Sequence, residues 1–144
     1  MPTRTTIDTP LATAGDLADL VAGVETCTWP FERWTHRAHL AVATAYLLRY
    51  PLSEATDRAR AGIKKYNAVR GSGTGSHETI TVLFMRLVAR ELRVARPADV
   101  AAFVNDLADR FRVDALLVYY SRDRLFSPAA VAGFAEPDLR PLDF

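Results

Sequence analysis

The sequence predicts an all-α fold: a single-domain helical bundle of about five to seven helices. Three observations carry this. Apolar residues recur at helical spacing in segment after segment. Two segments are apolar nearly all round, as helices in the middle of a bundle are. Strand-like alternation is scarce, and a length of 144 residues suits one domain.

The elements follow in chain order. The polar start, residues 1–12, is expected to be poorly ordered, as untethered termini are. Leu17, Leu20, Val21 and Val24 form an i, i+3, i+4, i+7 stripe, and Thr13 with Asp16 makes a capping box at its start. A second helix runs from about Trp34 to Arg49, where Pro51 disfavours helical geometry at Tyr50. Ser53 is the expected N-cap of a third, reaching about Arg70 with Ala55, Ala59, Ile63 and Tyr66 inward. The Gly/Ser run 71–76 is expected to be a flexible loop. A fourth helix spans about His77 to Val94. Pro97 suits the first turn of a fifth, whose apolar face is Val100, Phe103, Val104, Leu107 and Phe111. Asp114–Tyr120 is a short helix or a strand, and Ser127-Pro128 opens a last helix to about Phe134. The end, 136–144, is an extended tail.

Composition bounds the function. Hydrophobic residues at 49% and charged residues at 24% exclude wholesale disorder. Eighteen basic against seventeen acidic residues leave +1, so charge points to neither nucleic acid nor a membrane surface. The basic positions Arg58, Arg60, Lys64 and Lys65 of the third helix are diluted by Glu54 and Asp57 and lack an aromatic stacking pattern, which makes them a solvated face. The longest strongly apolar stretch, Leu40–Leu48, is far below the ~20 residues that span a bilayer. Cys27 is the single cysteine, which excludes an internal disulfide and a Cys-rich zinc site. Without a secretory apolar segment at the start, a cytoplasmic location is expected.

The three histidines are the main chemical signal. His36 and His39 stand three apart at the start of the second helix, on one face; His77 and Glu78 begin the fourth. Were those ends adjacent, three imidazoles and a carboxylate would converge. Such a set suits catalytic zinc or non-haem iron, with His36, His39 and His77 as ligands and Glu78 as ligand or general base. A metal-free catalytic or ligand-binding cluster and a set of satisfied core histidines are the alternatives. The chain has neither His-Glu-x-x-His nor paired Glu-x-x-His, which argues against zinc-protease and di-iron chemistry.

Other segments attach to this site as candidates. Arg70 with the glycine-loop amides offers an anion cradle or a lid, although the loop is neither a P-loop nor a dinucleotide fingerprint. Trp34, with Trp29 and Phe31, lines a pocket mouth or covers the bundle end. Tyr120 and Arg124 are candidates for acid–base work and for holding an anionic substrate, with Ser121 beside them; the alternative is a capped helix end.

Four blocks carry a resemblance: Trp34-Thr35-His36-Arg37-Ala38-His39-Leu40, Ser76-His77-Glu78-Thr79-Ile80-Thr81, Tyr120 to Ser127, and Glu136-Pro137-Asp138-Leu139. Together they resemble a family of small, largely uncharacterised, all-helical bacterial proteins, over roughly residues 30–141. The resemblance implies that these blocks form one site and supplies no reaction. Ser76 stands where members of that family often have Tyr.

The sequence therefore predicts a small-molecule enzyme, metal-dependent through zinc or iron, with a hydrolase, lyase, isomerase or oxygenase reaction open. A non-catalytic ligand- or metal-binding module or a protein-docking domain is the alternative. The expected partner is a small molecule, with no nucleic acid and no membrane, and a homodimer is allowed.

Overall fold

The computed structural model describes residues 5–71 and 76–144, and among these every regular element is helical. The α-helices are α1 (Ala14–Glu25), α2 (His36–Arg49), α3 (Leu52–Arg70), α4 (Glu78–Ala95), α5 (Val100–Arg110), α6 (Arg122–Leu125) and α7 (Pro128–Ala132). Two 3-10 segments, Phe31–Arg33 and Val113–Val118, join them. Most of the Gly/Ser loop, 72–75, lies outside the described residues, as do residues 1–4.

Local chemistry explains most boundaries. The capping box of α1 forms as expected: Asp16 N–H donates to Thr13 Oγ1 at 3.1 Å and Thr13 N–H to Asp16 Oδ2 at 3.0 Å. Thr35 caps α2, so Trp34 lies outside that helix. The third helix does not begin behind Ser53. It starts at Leu52, behind Pro51, whose carbonyl accepts from Ala55 N–H without any side-chain cap. Pro97 does not open α5, because Asp99 two residues later supplies the capping carboxylate to Ala102 N–H. Val113–Val118 is 3-10 rather than strand: Val113, Leu116 and Tyr119, each three apart, turn one side to the core. The last helix stops at Ala132, because Gly133 is extended and its carbonyl is used elsewhere.

Residues 5–12 are fastened rather than loose. Ile7 N–H donates to Glu32 O at 2.7 Å, and Leu11 exchanges bonds with the Asn105 amide at 3.0 and 2.8 Å. Asp8 binds Arg37 at 3.1 Å. These anchoring partners lie far along the chain, where no local pattern reveals them.

The core is layered around α2. This helix packs on α1, α3, α4 and α5, while α4 packs on α2, α3 and α7. Ala38, Ala41 and Ala43 let neighbours approach closely, and Leu40, Val42 and Tyr46 fill the space between. From α4 come Leu83, Met85, Leu87 and Val88, all buried. Truncating one such leucine to alanine costs about 2–5 kcal/mol. None of the described helices is long and apolar enough to cross a membrane.

Candidate functional site

A pocket of about 280 Å³ lies between α2, α3 and α4. Leu40, Ala43, Ala59, Ile63, Ile80, Phe84, Met85 and Val113 make it apolar, and His36, His39 and Thr81 are its polar wall. The Thr35 cap places His36 at the first position of α2, so His36 and His39 fall on the face that meets α3 and α4.

The partners decide where the protons sit. His36 Nε2–H donates to Phe111 O, and His39 Nδ1–H to Thr35 O at 2.7 Å. A carbonyl only accepts, so the neutral His36 ring keeps its lone pair on Nδ1. Burial holds the His36 imidazole below its ordinary value of 6.5. The Phe111 carbonyl and Asp8 oppose the shift; Arg112 and Arg37 add to it. Phe84 meets the His36 ring edge-on at 5.0 Å. Trp34 stacks on His39 at 3.8 Å and donates its indole N–H to Asn67 Oδ1 at 3.0 Å. It is absent from the pocket lining and braces the histidine from behind.

His77 and Glu78 do not join this wall, although Ile80 and Thr81 of the same turn do. His77 is the N-cap of α4: Nδ1 accepts from Ile80 N–H at 3.1 Å and Nε2–H donates to Leu125 O at 2.7 Å. Both ring nitrogens are therefore committed. Glu78 is clamped by Arg60, with Nη2 at 2.6 Å from Oε1 and Nε at 2.9 Å from Oε2. That guanidinium holds the carboxyl below its ordinary range, the reverse of what a general base near neutrality needs. Among the described residues no three His, Cys, Asp or Glu side chains form a group able to hold a metal ion. The residues present do not fit a three-histidine or two-histidine–carboxylate centre in this arrangement.

No family model, curated protein or solved structure matches this chain.

The remaining candidates are not among the residues that line this pocket. Tyr120 is fully buried and donates to Ala135 O at 2.6 Å. Ser121 caps α6, accepting from Arg124 N–H, and donates to Asp138 Oδ2 at 2.6 Å. Arg124 Nε reaches Glu136 O at 3.0 Å. Thr79, also fully buried, has Ala130 O at 2.7 Å and Gly133 O at 3.0 Å as acceptors and accepts from Ala135 N–H. His77–Thr79, Tyr120–Ser127 and Ala135–Asp138 thus tie the C-terminal segment onto α4. Arg70 sits elsewhere, donating from Nε to Cys27 O at 2.6 Å.

Arg37 is a residue that sequence reasoning passed over. Its side chain is 8% exposed and pairs with Asp8 and Asp109, with the Asn105 amide oxygen at 3.0 Å. A charge near the start of a largely apolar helix was the available signal, masked by its two histidine neighbours. It borders a second pocket of about 290 Å³, shared with Thr35, Trp29, Arg33, Asp16 and Asp19. The first turn of α2 therefore presents His36 to one cavity and Arg37 to another.

Proposed function

We propose that this protein binds a small, largely apolar molecule in the pocket between α2, α3 and α4, with His36 as its reactive group. The observation that carries the reading is the pairing of His36 and His39 on one wall of an otherwise apolar cavity. Few polar groups in an apolar cavity are the usual make-up of a ligand site. An engineered cavity of ~150 Å³ holds benzene, so this one accommodates a bicyclic molecule. His36, neutral at pH 7, is suited to taking a proton from a bound ligand, which makes general-base catalysis the enzymatic form of this reading. In a metal-dependent form only His36 and His39 remain candidate ligands, and the other donors come from the bound molecule or water.

The test is a titration of phenyl- and naphthyl-based fragments followed through the histidine ring signals by NMR. Binders are expected to move His36 and His39 and to leave His77 in place. Ala43→Phe, which fills the pocket, is expected to abolish binding. Fragments that move only His77, or that bind the filled variant equally well, refute the reading.

A further inference from the structure

We infer that the pocket selects a ligand whose polar head is a neutral hydroxyl, an alcohol or phenol on an apolar body. The inference rests on the pocket reading above and deepens it. His36 Nε2–H is spent on Phe111 O, and the Thr81 hydroxyl donates to His77 O at 2.9 Å. Each of these side chains has one proton to give, so what both retain is a lone pair, and both side chains line the pocket. His36 and Thr81 therefore offer acceptors on the polar wall. A ligand with only ether or ketone oxygen there meets lone pairs with lone pairs, and loses its bonds to water without replacement.

Charge narrows the class further. Arg112 and Arg37 lie within electrostatic reach of the His36 ring, and the acid Asp8, which also reaches it, is bound to Arg37. Among the described residues no carboxylate lines the pocket. An ammonium head would enter an apolar cavity without a counter-charge, which is costly. A hydroxyl supplies a donor at no such cost.

The experiment compares three probes on the full chain by calorimetry and by histidine-resolved NMR: β-naphthol, its methyl ether and β-naphthylmethylamine. β-Naphthol is expected to bind about tenfold tighter than the ether, the worth of one well-made hydrogen bond, and to shift His36. The protonated amine is expected to bind more weakly than β-naphthol. In Thr81→Val the naphthol affinity is expected to fall about three- to fivefold while the ether is unaffected, since one of the acceptors is gone. Equal binding of naphthol and ether at His36 overturns this inference and leaves the pocket reading standing, as does tighter binding of the amine. Absence of binding by all three overturns both.

Discussion

The Arg60–Glu78 clamp separates a structural carboxylate from a catalytic one. Glu78 is the first residue of α4 and is 17% exposed at its side chain; Arg60, on α3, is 28% exposed. The two share three contacts between 2.6 and 3.0 Å. Exposed pairs are worth ~0.2–1 kcal/mol, whereas charge-assisted bonds that are partly screened from water reach ~1.5–3. This pair sits between those limits, so a coupling energy of about 1–2 kcal/mol is expected. The perturbation is a double-mutant cycle of Glu78→Gln, Arg60→Gln and the double variant, measured by urea unfolding at pH 7. Glu78→Gln alone should lower the Tm by about 3–6 °C. Because the folded-state pKa of Glu78 is depressed, its contribution is complete above the unfolded value of 4.5 and is lost as pH falls through the folded one. The coupling should therefore vanish in strong acid. Fragment binding in the pocket should survive Glu78→Gln. A coupling near zero, or loss of ligand binding with unchanged stability, would refute the clamp and return Glu78 to the site.

Three further outcomes are expected. Thr79→Val keeps the shape but strands Ala135 N–H and two carbonyls in a buried position, costing about 2–4 kcal/mol by urea unfolding; a loss under ~0.5 contradicts the knot. Tyr120→Phe removes the bond to Ala135 O and should cost about 1–2 kcal/mol while leaving ligand affinity at the His36 pocket intact. His36 has a depressed pKa, so the unfolded chain protonates first as pH falls below 6.5, and stability should drop from there until the folded value is passed. In His36→Gln that slope should flatten; an unchanged slope between pH 7 and 5 assigns it to another group.

Periodicity and capping chemistry made the all-helical fold legible. The α1 stripe, the Thr13–Asp16 box and the Ser127-Pro128 start are local features, and local sterics and hydrogen bonding suffice to produce them. Boundaries slipped where two local signals competed, as when Asp99 took the capping role from Pro97. His36 and His39 could be placed on one face because three residues of helix set their relation.

The sequence by itself determined the main helical segments and that two histidines share a face. Tertiary structure alone decided what each polar group meets. His77 and Glu78 are four and three residues from Thr81, yet their partners, Leu125 and Arg60, lie 48 and 18 positions away. The same is true of Arg37, whose acids come from Asp8 and Asp109. Whether a side chain binds ligand or braces the fold depends on which distant donor or acceptor satisfies it on burial, and helical period carries no record of that pairing.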